Sequence, residues 1–343
     1  MGKDVVLAGG NRQKAITPEP PPDFSELLTE QADFSACVKV ALLSKDTDAP
    51  RVDHLFLRFK ESIPDEHSLA EIICHQIINY AIPRRKIREL IARIKNPLDF
   101  SQQSKILSEA KRAFVKFDSK AKGPLANTRY GEIGEVVAFC VACHFLEAGQ
   151  VAAKMALKTN SQMLTFGLDG IHVRGENDGT ITVFFLESKV VGDATSGAAQ
   201  YAKSAGGFDQ DRAHKLNEDR IARDLSNFDL FEGAVREAAL EYFNPYGQAS
   251  EKVRERFVGV IVHSEPAYQK KLPVNDATPL TAHEANFLSH YSADHPNILL
   301  KLEKALAKNK AEPGRCRAFF LAVPDSAKLK ELFAKEMTHD HIR

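Results

Sequence analysis

The chain has 343 residues, 43% of them hydrophobic, which is enough apolar material for one large domain or two smaller ones. Its 46 Lys and Arg residues balance its 46 Asp and Glu residues, so net charge does not indicate nucleic-acid binding, and any phosphate-binding surface must be local. The absence of a long apolar run and of a signal-peptide layout, with an odd count of five cysteines, predicts a cytoplasmic protein that does not associate with membranes.

The first third of the chain divides into an arm and an α/β region. Residues 1–25 mix Gly and polar residues and end in a group of prolines, which favours a flexible N-terminal arm. Residues 26–122 follow as a predicted N-terminal α/β region. Apolar runs and periodicity predict its strands at 38–43 and 52–59 and its helices at about 66–80, 84–95 and 101–117.

Residues 123–343 are predicted to form the main core together with C-terminal helices. Proline and glycine residues near 120–127 mark its start. The expected elements, in chain order, are a helix at about 129–148, strands at about 167–174 and 181–191, a mostly helical stretch at 194–243, a strand at 257–263, helical segments at about 280–309, a strand at 316–323 and a last helix at about 325–337. This order predicts a mixed α/β or α+β fold.

The segment 167–191 carries the most informative pattern. Two strand-like runs flank Asn177-Asp178-Gly179, which is a strong hairpin signal. If the turn is centred on Asp178, Asp169 lies opposite Glu187, and the Cβ atoms of directly paired residues are about 5 Å apart. A slip of one residue would weaken this pairing, and the sequence alone does not fix the register.

Two facing carboxylates repel each other, and a divalent cation relieves that repulsion. Mg²⁺, or Mn²⁺ in its place, is commonly held by one or two carboxylates together with water and substrate phosphate. Glu187 and Lys189 share one face of the strand, about 7 Å apart, while Ser188 points to the other. Lys189 is then placed to orient the attacking water or to stabilise charge during phosphodiester hydrolysis. The alternative is that Glu187 and Lys189 form only a structural ion pair.

The preceding helix adds two acidic residues. Glu132 and Glu135 are three residues apart, so they share a face of a helix that is otherwise largely apolar. Next to the carboxylate-bearing strands they could extend the metal site or hold a second ion. They could equally lie in the first turns only because the helix dipole favours negative charge there. Both readings stay open, with one glutamate more readily functional than two.

Basic residues near this segment are candidates for contacts with nucleic acid. Lys203 lies in the glycine-rich stretch 192–207, which is either a mobile segment over the site or a loop and short helix. Arg129, at the start of the predicted helix, is a second candidate. The basic segment 84–95 could also meet phosphates, but a solvated helix face is the more favoured interpretation.

Cysteine and histidine residues give weaker signals. Cys140 and Cys143 have the spacing of zinc ligands, but they lie in the middle of an apolar helix, which favours core packing. His144 and His172 are near the proposed site and could be ligands or ordinary hydrogen-bonded residues, the second being favoured.

Three short motifs, GEIGE at 131–135, LDGIH at 168–172 and FLESK at 185–189, resemble the HamA family, the nuclease subunits of the two-component Hachiman anti-phage system. The resemblance covers roughly residues 40–325 and is specific over about 130–191. It implies a PD-(D/E)XK restriction-endonuclease-like core, with a central mixed sheet flanked by helices and an N-terminal α/β extension. One departure is that Gly-Leu, not Pro, precedes Asp169, at a position that varies widely in this superfamily.

The resemblance also implies roles and partners. Asp169, Glu187 and the Ser188 backbone carbonyl would bind the metal, and Lys189 would act on the attacking water. Glu132 or Glu135 would complete the site. The expected partner is a helicase subunit, HamB, in a hetero-complex that nicks or degrades DNA. Two rival functions stay open, a stand-alone restriction-type endonuclease and a catalytically silent adaptor for another protein. DNA and RNA are not distinguished by the residues themselves.

Overall fold

A computed structural model of the chain describes residues 22–96, 100–114, 132–155, 168–224 and 227–338. The N-terminal part contains the two predicted strands and all three predicted helices, within a few residues of their expected bounds. Its elements are α1 (Ala32–Cys37), β1 (Val38–Leu42), β2 (Arg51–Leu57), β3 (Phe59–Lys60), β4 (Ile63–Pro64), α2 (Glu66–Ala81), α3 (Arg84–Ala92) and α4 (Phe100–Ala113).

The rest of the chain follows the expected order as well. Its elements are α5 (Ile133–Phe145), β5 (Gly149–Gln150), β6 (Gly170–Gly175), β7 (Ile181–Val191), α6 (Ala194–Gln210), α7 (Arg212–Asp224), α8 (Gly233–Glu241), β8 (Val253–Ser264), α9 (Leu280–Tyr291), α10 (His295–Asn309), β9 (Cys316–Val323) and α11 (Ser326–Thr338). The predicted bounds of β7 and β9 are confirmed. Strand β8 begins earlier than predicted because its first four residues, 253–256, are mostly charged and break the apolar run.

Seven strands form one mixed sheet in the order β1-β2-β9-β8-β7-β6-β5. The strands β7, β8, β9 and β2 run parallel, whereas β1, β6 and β5 are antiparallel to their neighbours. The predicted mixed α/β fold is confirmed. Because β2 pairs with β9, the predicted N-terminal region and the predicted core contribute strands to the same sheet. The predicted boundary between them, at 122/123, lies within 115–131, outside the described residues.

Helices cover both faces of the sheet, so the central strands are apolar on both sides. On one face, α5 and α11 pack over alternate residues such as Leu186 and Val260, and α2 packs against these helices. On the other, α6 packs over the residues between them, such as Phe185 and Ile261, and α10 packs against α6. Within the described ranges, no helix is both long and apolar enough to cross a bilayer.

Of the predicted arm, residues 1–21 lie outside the described part of the chain. The end of the arm is packed against the core, since Phe24 is buried and its ring lies about 6 Å from the rings of Phe228 and Phe231. An aromatic side chain two residues after the last proline supplies this contact.

Four buried histidines make the fold sensitive to acid. Burial lowers the pKa of His54 to about 3 and the pKa values of His172, His263 and His295 to about 4. The rings of His54 and His295 stack with centroids 3.6 Å apart, so protonation of both would add repulsion. Since an unfolded histidine titrates near 6.5, the unfolded chain takes up protons between about pH 6.5 and 4 that the folded chain does not.

We therefore expect the free energy of unfolding to be highest above pH 6.5 and to fall as the pH drops toward 4. His172→Gln should reduce this pH dependence by one proton, or about 1.4 kcal/mol per pH unit, because it removes one buried neutral ring. Urea denaturation of wild type and variant at several pH values measures the two slopes. Parallel curves would show that His172 is protonated in the folded protein as readily as in the unfolded one.

Candidate active site

The β6–β7 hairpin sets the positions of the predicted site residues. Gly179 in its turn has a φ of 78°, a conformation that glycine adopts without a side-chain clash, and its N–H donates to the carbonyl of Glu176 at 3.2 Å. Along the ladder Gly170 pairs with Leu186 and Gly175 with Ile181. This is the register predicted from a turn centred on Asp178, which is therefore confirmed.

Asp169 lies one residue before β6 and points to Ser188. Its carboxylate Oδ2 accepts hydrogen bonds from the Ser188 N–H and from the Ser188 hydroxyl, both at 2.7 Å. The ladder ends at Gly170, and the Asp169 N–H donates to the Leu186 carbonyl at 2.8 Å. The predicted register placed Asp169 opposite Glu187. In the structure the two residues are not ladder partners, because the ladder ends at Gly170.

Glu187 and Lys189 project from β7 toward α6. The Glu187 Oε1 atom accepts a hydrogen bond from the Lys189 ammonium and another, at 3.0 Å, from the Ser204 hydroxyl of α6. Both side chains are mostly covered, with 14% of Glu187 and 23% of Lys189 exposed. The sequence analysis did not identify Ser204, although its position beside Lys203 in the glycine-rich segment was a signal that this helix reaches the site.

The electrostatics of Glu187 reflect crowded negative charge. Burial raises the pKa of Glu187 above its ordinary value, and the charge of Asp169 raises that pKa further, while Lys189 opposes the shift. The two carboxylates therefore interact although they are not ladder partners. Such a perturbed carboxylate next to a second one is typical of functional sites.

The two glutamates of α5 occupy the other face of β7. This helix approaches closely at Gly134, where an added Cβ atom would lie 2.9 Å from Val190 Cγ2. Glu135 is buried and accepts a hydrogen bond from the Tyr80 hydroxyl of α2. Glu132, at the N-cap of α5, is partly exposed. The structure thus brings Glu187 and Lys189 together on one face of β7 and places Glu132 and Glu135 on the other. Asp169, bonded to Ser188, is within electrostatic reach of both groups.

Tyr80 connects the glutamates of α5 with Asp169 electrostatically. Its pKa is raised well above the ordinary value, first by burial, then by Glu135 and also by the charges of Asp169 and Glu132. The charge of Asp169 therefore raises the pKa values of both Glu187 and Tyr80. Tyr80 was not identified from the sequence, where it appears as one more apolar position of α2.

A buried ion pair fixes the backbone that leads into Asp169. Lys154 Nζ lies 2.5 Å from Glu218 Oε2, and both side chains are almost completely buried. Lys154 also donates to the Leu168 carbonyl at 2.7 Å, and Glu218 Oε1 accepts from the Leu168 N–H at 3.2 Å. Both backbone groups of the residue before Asp169 are therefore held by one ion pair, which has no counterpart among the short motifs of the sequence.

The candidates for nucleic-acid contact have different placements. Lys203 is exposed on α6 next to Ser204, and Arg129 lies outside the described residues. The segment 84–95 makes protein contacts: Arg84 bonds to Thr29 and Asn79, and its neighbours pair with acidic side chains. Arg85, Lys86 and Arg88 are exposed, which agrees with the prediction of a solvated helix face.

The weaker candidates are accounted for by packing. Cys140 and Cys143 are free thiols buried in the core, as predicted. His172 is buried, and its Nδ1 lies 3.0 Å from the Ala148 carbonyl, which is the ordinary hydrogen-bonded placement. His144 is exposed at the far end of α5 from Glu135.

The donor set fits a hard divalent cation. Asp169 and Glu187 supply carboxylate oxygens, and the pKa of Glu187 is raised first by burial and then by the charge of Asp169, a charge that a cation would balance. Within the described ranges, no three His, Cys, Asp or Glu side chains converge as metal ligands. Two carboxylates with water and phosphate in the remaining positions are a coordination that Mg²⁺ accepts.

Comparison with known proteins assigns the chain to a family. No curated protein matches it. The sequence model of the HamA family matches residues 32–337, which spans both predicted regions and every strand of the sheet. A match over most of the chain shows that this chain belongs to the HamA family.

Proposed function

We propose that the protein is a metal-dependent nuclease of the PD-(D/E)XK type that hydrolyses DNA phosphodiester bonds, as the effector of a complex with a helicase subunit. Membership of the HamA family makes it a Hachiman defence protein. The nuclease activity is inferred from one observation: two interacting carboxylates, Asp169 and Glu187, lie beside the ammonium of Lys189 in a mostly covered site. We place the protein in the cytoplasm, because all five cysteines are free.

The residues of the site have separable roles in this proposal. Asp169 and Glu187 would hold Mg²⁺ or Mn²⁺, with the Ser188 backbone carbonyl as a further oxygen. When bound, such an ion polarises the phosphoryl oxygen and favours ionisation of a bound water. The Ser188 N–H and hydroxyl orient Asp169, and the Ser204 hydroxyl orients Glu187.

Lys189 is the residue that we expect to meet the reacting groups. Its ammonium contacts Glu187, and the side chain is about a quarter exposed, so it can turn toward a phosphate that enters the site. An ammonium there would stabilise charge on the phosphoryl oxygens or hold the attacking water. Glu135, held by Tyr80 on the other face of β7, fits a supporting role in fixing α5 better than a place beside Glu187.

A second candidate function is a catalytically silent adaptor. The closed Glu187–Lys189 ion pair, and the placement of Glu135 away from it, favour this function. An adaptor would use the fold to bind another protein and would need no metal. A stand-alone restriction-type endonuclease would use the same residues as the proposed effector and would differ only in cutting DNA without a helicase.

The test of the proposal is cleavage of supercoiled and linear DNA by the purified chain, with Mg²⁺ or with EDTA, alone and with its helicase subunit. We expect cleavage with Mg²⁺ and none with EDTA, because two carboxylates without a cation repel both each other and the phosphate. Cutting by the chain alone would favour the stand-alone enzyme. Failure to cut under every condition would leave the adaptor.

A further inference from the structure

An arginine-lined cavity of about 340 Å³ lies at the edge of the sheet where β7, β8 and β9 begin. Its arginines come from four strands, namely Arg51 of β2, Arg174 of β6, Arg254 and Arg256 of β8, and Arg317 of β9. Thr182 lines the same cavity and stands five residues before Glu187, or about 17 Å along β7. The cavity, here called the arginine cleft, is therefore separate from the candidate active site.

The strand register gathers these arginines on one face of the sheet. Ladder partners share a face, and so do residues two apart on a strand. The ladder connects them through the pairs Thr182 with Arg174 and Arg254, Phe184 with Arg256, Val258 with Arg317, and Arg317 with Arg51. Five guanidinium groups are thus directed to one patch, whose lining also holds Asp46, Asp48 and Glu176. Two carboxylates outside the lining pair with members of the patch, Asp178 with Arg254 and Asp53 with Arg317.

The outer arginines are held in place by contacts on one side. Arg51 pairs with Asp46 at 3.1 Å and Arg174 with Glu176 at 2.9 Å. The Arg174 guanidinium also lies over the ring of Phe184, 5.6 Å from its centroid. A guanidinium has five N–H donors, so each of these side chains keeps donors for a ligand in the cleft.

Arg256 is the central cation of the cleft. It is partly buried, and its Nη1 donates to the backbone carbonyl of Glu255 at 2.8 Å. In the described part of the chain it makes no ion pair with a carboxylate. Burial lowers the pKa of Arg256, and the neighbouring charges of Arg51, Arg254 and Arg315 lower it further. The charge of Arg256 is therefore not balanced by an ion pair of its own within the described residues, unlike the charges of the four other arginines.

We propose that the arginine cleft binds the phosphate groups of a nucleotide-sized anion. Planar guanidinium forks match phosphate oxygens in pairs, and several phosphates in one small volume supply the charge density that several arginines require. A cavity of about 340 Å³ falls within the range of small-ligand sites. The phosphates can belong to a free nucleoside polyphosphate or to a nucleic-acid strand that enters the cleft.

The test is isothermal titration of the full chain in EDTA with three probes: inorganic triphosphate, ADP and a single-stranded 12-nucleotide DNA. EDTA makes the result independent of metal-dependent cleavage. Arg256→Gln removes the central charge, and Arg254→Gln, at the more exposed rim, serves if the first variant does not fold. Arg236→Gln is the matched control, since Arg236 pairs with Asp229 at the surface of α8.

We expect at least one probe to bind, and Arg256→Gln or Arg254→Gln to weaken it about tenfold or more, while Arg236→Gln leaves it unchanged. If the cleft variants lose binding of ADP and triphosphate, the phosphates come from a free nucleotide. If they lose binding of DNA alone, the phosphates come from a nucleic-acid strand. Absence of binding by all three probes, or binding that both cleft variants retain, would overturn the proposal.

Discussion

Glu187→Gln is expected to lower the rate of DNA cleavage by at least about 100-fold and to leave the protein folded. The amide keeps the size of the side chain and its hydrogen bond to Ser204, but it removes the negative charge that would hold a divalent cation beside Asp169. Because burial and Asp169 both raise the pKa of Glu187, its ionised form does not stabilise the fold. The melting temperature should therefore stay the same or rise, while initial rates on supercoiled DNA with Mg²⁺ fall.

Lys189→Ala should reduce cleavage in the same assay, because it removes the ammonium that contacts Glu187. The matched control is the exposed ion pair of Lys39 and Glu284, whose atoms lie 2.7 Å apart far along the chain from the site. Lys39→Ala and Glu284→Gln remove the same chemical groups and should cleave at the wild-type rate. A Glu187→Gln protein that cleaves as fast as these controls would exclude the proposed role of Glu187.

Lys154→Met is expected to lower the free energy of unfolding by about 3–5 kcal/mol. The substitution leaves the Glu218 carboxylate buried without its lysine and removes the hydrogen bond to the Leu168 carbonyl. Urea denaturation measures the loss. Lys39→Met, which breaks an exposed ion pair, should cost no more than about 1 kcal/mol and serves as the control.

A double variant, Lys154→Met with Glu218→Leu, removes the buried charge as well as its partner. We expect it to recover part of the lost stability, since two apolar side chains of similar size replace a pair that is costly to desolvate. Cleavage should not recover with it, because the N–H and carbonyl of Leu168 lose both contacts and Asp169 is less firmly placed. Recovery of stability and cleavage together would show that the pair does not position Asp169.

The hairpin register could be predicted because it depends on local chemistry. Asn177-Asp178-Gly179 allows a tight turn, and a turn centred on Asp178 gives the register that the ladder shows. The proximity of Asp169 to Glu187 follows from that register. The direction of the Asp169 carboxylate does not, because it depends on where the strand ends and on the Ser188 hydroxyl.

The contacts made by distant elements could not be predicted. Ser204 reaches Glu187 only because α6 packs across β7, and Tyr80 reaches Glu135 only because α2 packs against α5. Neither contact leaves a periodic signal in the sequence. The arginine cleft was also missed, since its five members are spread over four strands and appear singly between apolar residues.

The position of β9 in the sheet bears on how the chain folds during synthesis. Arg51 of β2 pairs with Arg317 of β9, so one edge of β2 stays unpaired until a strand far along the chain has been synthesised. Contacts of such long sequence separation slow folding, and unpaired strand edges associate with other chains. A chain interrupted before Cys316 would expose edges of both β2 and β8. Such fragments are expected to aggregate or be degraded, so that the folded sheet accumulates only in chains that extend through β9.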